Sequence, residues 1–176
     1  MAKKQKIVSL LSENRRIIQI ILGISLYFAI TYYSISLWWI FAFGTALGII
    51  LGKVFCRWAC PLGIMMELFM KLTPGDSFKN MYQYHKIGCP IAWTSGLLNK
   101  YSFFKIQFKA DTCKSCGLCD KACYMPSLDK QKFSLYKPKM TYPAEAFSCS
   151  KCLQCVAACP NGSLSYKPDL PFKIKI

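Results

Sequence analysis

CKSCGLCDKAC (Cys113–Cys123) and CSKCLQCVAACP (Cys149–Pro160) decide how this chain of 176 residues is read. In each stretch four cysteines are separated by two, two and three residues, the spacing of bacterial cubane iron–sulfur motifs. Two-residue gaps let a short loop wrap three thiolates around three iron corners, while the fourth cysteine opens a helix aimed elsewhere. In two-cluster proteins that fourth cysteine ligates the other cluster. The expected assignment therefore interlocks the two stretches: Cys113, Cys116, Cys119 and Cys159 hold one [4Fe–4S] cluster, and Cys149, Cys152, Cys155 and Cys123 hold the second. Zinc ribbons also use paired C-x-x-C groups, but they take four ligands from two pairs, whereas each stretch here carries a third cysteine and a fourth beyond it. Eight of the 11 cysteines fall in these two clusters, a distribution that suits metal better than a framework of well-separated disulfide partners.

Working outward, Tyr124 follows Cys123 where the second stretch has Pro160, and 25 residues rich in lysine and aromatics separate Cys123 from Cys149. This insertion is expected to loop out, as a docking surface for a partner or as plain solvated loop. Toward the N-terminus, Ile17 to Gly52 is a run of 36 residues without a charged side chain. One helix crosses a bilayer with about 20 residues, so two short spans fit, at 17–33 and 37–53, turning at Ser34, Ile35 and Ser36. The run continues into Trp38 and Trp39 with no polar start after a small-residue cleavage site, so it reads as a retained anchor and not a signal peptide. Arg15 and Arg16 before it and Lys53, Arg57 and Lys71 after it place both ends in the cytoplasm. Tyr32, Tyr33, Trp38 and Trp39 then lie at the far headgroup layer. Gly44, Gly48 and Gly52 share one helix face, which suits close packing against the first span, a second copy or another subunit.

Segment 54–72 mixes apolar residues with Arg57, Glu67 and Lys71 and reads as interfacial more readily than as a third span. Thr73, Pro74, Gly75 and Asp76 end it, and 77–110 reads as connecting structure against the membrane surface. The formal charge is +15, from 23 Lys and Arg against 8 Asp and Glu. Two oxidised clusters would contribute about −4, leaving a basic surface suited to anionic lipid or an acidic redox partner. No nucleic-acid recognition module is present in the sequence, and nucleic acid is not expected as a partner.

At Phe55–Gly63 the chain reads FCRWACPLG. Spans, a C-x-x-x-C-P element and two ferredoxin motifs, in that order over about residues 15–167, make the chain resemble the NapH and NosR kind of membrane polyferredoxins. That resemblance implies electron transfer at the cytoplasmic face of the inner membrane, between the quinol pool and a respiratory reductase or its maturation system. Such proteins often carry two C-x-x-x-C-P elements. Here the first is Cys56, Cys60 and Pro61, and the second candidate, Cys89 and Pro90, has His85 in place of the earlier cysteine. Cys56, Cys60, Cys89 and His85 are therefore a candidate third metal or iron–sulfur site. The alternatives are structural thiols, a Cys56–Cys60 redox pair, and a histidine bonded to backbone.

The expected architecture is a basic cytoplasmic segment (1–16), a membrane helical hairpin (17–53), an interfacial segment (54–110), a small α+β two-cluster ferredoxin domain (111–167) and a tail (168–176). No nucleophile triad, phosphate loop or dinucleotide fingerprint appears, so the chain is expected to relay electrons as a subunit without substrate chemistry of its own. The alternatives are a quinol oxidoreductase subunit with a quinone pocket among the short spans, and a redox-sensing or assembly factor for a respiratory complex.

Overall fold

Uncharged apolar sequence becomes helix here because an unbroken run of such residues satisfies its backbone polar groups only within itself. The computed structural model describes residues 2–72, 74–87 and 89–168. Thr73, Gly88 and the expected tail beyond Pro168 lie outside the described residues. α1 (Ala2–Glu13) leads into α2 (Arg15–Tyr33), which ends at Ser34 in a left-handed conformation with φ 48°. After Ile35 and Ser36, α3 (Leu37–Leu51) returns and stops at Gly52, whose φ of 76° suits glycine. The turn at 34–36 thus falls where the sequence places it.

The partners of the two arms differ from the expectation. α4 (Phe55–Trp58) and α5 (Pro61–Leu72) follow, then α6 (Ser77–Ile87) and α7 (Pro90–Leu98). α2 packs mainly on α5, and α3 mainly on α7. Gly44 and Gly48 on the glycine face of α3 accordingly meet α7 and not the first span. A Cβ on Gly44 would stand 2.9 Å from Ile91, and one on Gly48 3.0 Å from Ser95, so the missing side chains let α3 and α7 approach. Residues 77–98, expected as connecting structure, form two helices, one of them the partner of α3. The reason is composition: Pro90 to Leu98 is short but apolar, with proline set at the first helical position. α2 is the one helix among the described residues long and apolar enough to cross a membrane; α3, with 15 residues, is shorter.

β1 (Phe104–Phe108) pairs antiparallel with β2 (Leu164–Pro168), in the register Phe104↔Pro168, Ile106↔Tyr166 and Phe108↔Leu164. The sheet that closes the cysteine-rich unit therefore starts at Phe104, before the expected boundary at 111. Between the strands lie α8 (Leu118–Ala122), α9 (Tyr124–Leu128), a 3₁₀ turn (Pro143–Glu145) and α10 (Gln154–Ala157). The insertion after Cys123 does not loop out. Tyr124, Met125, Phe133, Leu135 and Ala144 join Ile106, Val156 and Leu164 in the core, because a unit this small needs their apolar area. Lys130, Lys132, Lys137 and Lys139 remain at the surface of the insertion. The segment before α2, expected as a basic tail, forms α1, which packs against α10, with Val8 set against the core.

Candidate metal centres

The two cysteine stretches share a backbone signature. Ser115 and Gly117 have φ of 52° and 73°, and their counterparts Lys151 and Leu153 have φ of 44° and 62°. Left-handed conformations at three non-glycine residues cost energy, and they recur where a loop is over-determined by what it must surround. Their effect is to turn backbone N–H groups inward, as in the concavities that bind anions and iron–sulfur groups. The Ser115 N–H donates to Cys113 Sγ at 3.4 Å, and the Lys151 N–H donates to the sulfur of Cys149. The fourth cysteines match too, since the Met125 N–H faces Cys123 and the Asn161 N–H faces Cys159.

The thiols fall into two sets. Cys113, Cys116, Cys119 and Cys159 line one small cavity with Phe108 and Tyr136. Cys123, Cys149, Cys152 and Cys155 are buried together, with Cys123 and Cys155 each feeling the charge of the others. Cys155 also feels Cys119, so the two sets are neighbours. Among the described residues no three His, Cys, Asp or Glu side chains close into a metal-binding group, so what the structure brings together is environments and not bond lengths.

Electrostatics distinguishes the sites. Burial pushes the Cys149 thiol up to about 11 and the Cys119 thiol up to about 12, with Asp120 adding to the latter, and it holds Cys123 and Cys155 well above the usual thiol range. Cys159 moves the other way. Burial raises it, but N–H groups of Leu164, Ser163 and Asn161 outweigh that and favour the thiolate. Thiols packed this closely ionise together only around a cation, so the donor set fits a metal–sulfur core better than four free thiols.

A polar joint that sequence reasoning missed ties these motifs to the apolar helices. The Asn99 side chain donates to Ala146 O at 2.9 Å and Cys149 O at 3.1 Å, and it accepts from the Lys53 N–H at 3.4 Å. Lys151 Nζ donates to Ser102 Oγ and to Phe104 O, and burial lowers its pKa to about 8. Lys53 Nζ donates to His85 O and Phe147 O and lies 4.7 Å from the Phe147 ring centroid. Neither lysine has a signature in sequence, because a lysine beside a cysteine motif normally reads as surface charge. A second unforeseen group is Glu67, which takes Arg15 at 3.0 Å and Arg57 at 3.7 Å; both arginines are buried.

The expected third set is partly gathered. Cys56 and Cys60 are buried, Cys89 is half-buried, and each of Cys56 and Cys60 feels the charge of Cys89. His85 is buried and lines a small cavity with Cys56. Burial, reinforced by Arg57, Lys53 and Arg15, keeps its ring neutral by lowering its pKa well below the usual value. The reading of a histidine bonded to backbone does not hold for the ring, whose nitrogens both lack a partner among the described residues.

Comparison with known proteins bears on this last set. A family profile described as a 4Fe–4S binding domain matches residues 31–77, a stretch that includes Cys56 and Cys60 and ends before both four-cysteine motifs. The chain thus carries a 4Fe–4S binding domain, which supports at least one [4Fe–4S] cluster and an iron–sulfur electron-transfer role. Uncharacterized protein MJ0749 of Methanocaldococcus jannaschii is 22% identical, over 68% of this chain and 66% of its own length. The chain therefore spans just under two thirds of that relative. No solved structure matches.

Proposed function

We propose that the chain is a membrane-anchored electron-transfer protein of the polyferredoxin kind, relaying single electrons between the membrane and a redox partner protein. Its two-cluster unit lies on the cytoplasmic side of the inner membrane. The carrying observation is that Cys159 lines one cavity with Cys113, Cys116 and Cys119, while Cys123 is buried with Cys149, Cys152 and Cys155. This crossing is what two interlocked [4Fe–4S] clusters require, and such clusters, when bound, supply one-electron carriers. The chain's own part is to exclude water from Cys149, Cys152 and Cys155, to direct backbone N–H groups at the sulfurs, and to leave Cys116 exposed at the outer site. Beside that outer site, a groove lined by Lys105, Lys109, Lys137 and Lys139 suits an acidic partner.

Membrane anchoring is supported by exposed apolar residues on α2, α3, α5 and α7, among them Ile21, Phe28, Ile49, Leu62, Phe69 and Leu97. Tyr32, Tyr33, Trp38 and Trp39 are all more than 70% exposed at the turn farthest from the cysteine motifs, as an interfacial aromatic belt would be. These features support more than one pass.

A specific observation also favours quinol oxidation by the chain itself. A cavity lined by Arg16, Glu67, Met70, Met81, Tyr124 and Gln154 lies between the apolar helices and the Cys123 motif. Its lining joins Met70, Met81 and Tyr124 to cations and one carboxylate, Glu67, and includes Ala122 and Tyr124, the two neighbours of Cys123 in the chain.

A dithionite titration of anaerobically purified, detergent-solubilised protein, followed by absorbance and electron paramagnetic resonance, tests the main reading. One electron per cluster with mutually coupled signals supports it. Absence of bleaching overturns it. Reduction by a quinol analogue with no other protein present separates the second reading from a passive relay.

A further inference from the structure

We propose that Cys56, Cys60 and Cys89, with a ring nitrogen of His85, form a third iron–sulfur centre, distinct from the eight-cysteine pair and placed where α4 and α6 meet the starts of α5 and α7. The profile match supplies the question. Residues 31–77 contain two cysteines, Cys56 and Cys60, half of what a cubane core takes. The chain then repeats the element: His85 precedes Cys89 by the same gap, and Pro61 and Pro90 each open a helix directly after a cysteine. N–H groups of Leu62 and Gly63, in the first turn of α5, face the sulfur of Cys60.

His85 is the observation that turns gathered thiols into a ligand set. Its ring is 1% exposed, and among the described residues neither Nδ1 nor Nε2 has a hydrogen-bond partner. The ring stacks on Tyr124 at 5.8 Å between centroids and meets Tyr84 edge-on at 5.2 Å, and it lines a small cavity with Cys56. An orphaned buried polar atom is unfavourable, and a neutral imidazole offers one lone pair that a metal can take. Imidazole replaces thiolate at iron in known iron–sulfur centres.

Lys53 gives a second, independent indication. It is 0% exposed and, among the described residues, bonds only to carbonyls and a ring face, with no carboxylate in its surroundings. The charges it feels are those of Cys56, Cys149 and Cys89. A buried ammonium without a counter-ion costs several kcal/mol. A cubane with three thiolates, about −1 oxidised and about −2 reduced, supplies that counter-charge on one side, and the Cys149 set supplies it on the other.

The test uses the full chain, purified anaerobically in detergent. Wild type is expected to hold about 12 iron and 12 sulfide, and Cys56→Ala/Cys60→Ala about one third less, with the coupled signals of the eight-cysteine pair unchanged. His85 is the chain's only histidine, so a ¹⁴N hyperfine coupling that ¹⁵N-histidine labelling alters identifies it without mutation. His85→Cys is expected to keep the iron and lose the coupling. About 8 iron in wild type, or about 12 with no histidine coupling, overturns the proposal. A histidine-coupled signal at about 4 iron supports this centre while overturning the two-cluster reading. If the double variant does not accumulate, the wild-type coupling decides.

Discussion

Tyr124→Phe removes one oxygen from a fully buried side chain and nothing else. That hydroxyl donates to Ser148 O and accepts from the Ser150 N–H at 3.1 Å, which pins the backbone on both sides of Cys149. Ser148 and Ser150 are themselves buried, so water does not replace it. Each orphaned backbone group costs about 1–3 kcal/mol; taking about 1 for each gives about 2 kcal/mol, or about 30-fold in the equilibrium that opens this loop. Where reclosing outpaces capture, iron release to a ferrous chelator follows that equilibrium. The variant is therefore expected to lose iron about 30-fold faster in mild denaturant, first from the Cys149 set as followed by electron paramagnetic resonance. A rate within twofold of wild type, or earlier loss from the Cys113 set, refutes the assignment of Tyr124 as the brace of the inner site.

Further outcomes follow from the same geometry. Glu67→Gln leaves Arg15 and Arg57 buried without a counter-charge and should destabilise the protein by about 3–5 kcal/mol, measured by thermal unfolding in detergent. Burial raises the Glu67 carboxyl, but Arg57, Arg15 and Arg16 together hold it below 4.5, so its contribution is present above pH 4.5 and lost as pH falls through the lower folded value. The variant should lack that acid-dependent loss. Gly48→Val forces a side chain against Ser95 and should cost about 1–3 kcal/mol by separating α3 from α7, whereas substitution at the exposed Ile49 should cost little in detergent. Lys137→Glu/Lys139→Glu should slow electron transfer to an acidic flavoprotein about tenfold at low ionic strength in stopped-flow, with the difference vanishing at high salt.

The cysteine spacing was legible because metal chemistry constrains sequence directly. Gaps of two residues and the crossed fourth ligand led to an expected grouping of Cys159 with Cys113 and of Cys123 with Cys149; those thiols line one cavity and one buried set, and their ligation of clusters is a proposal. The helix turn at 34–36 was legible as well, since an uncharged run has few ways to fold. The insertion after Cys123 misled because its four lysines suggest a solvated loop. Tyr124, Phe133 and Leu135 turn inward in a segment with no periodicity, and only the shortage of other core residues calls them there. The partner of the α3 glycines lay in a nine-residue helix too short to stand out in hydropathy. Lys53, Lys151 and Asn99 were invisible because their role depends on contacts 32 to 94 positions apart in the chain.

The most direct measurement is the metal and acid-labile sulfide content of the full chain purified without oxygen, with electron paramagnetic resonance before and after dithionite. At least about 8 iron with matching sulfide, and coupled signals only after reduction, is the predicted result, rising to about 12 with the third centre. About 2 zinc, no sulfide and no signal would contradict the claim that this chain carries electrons.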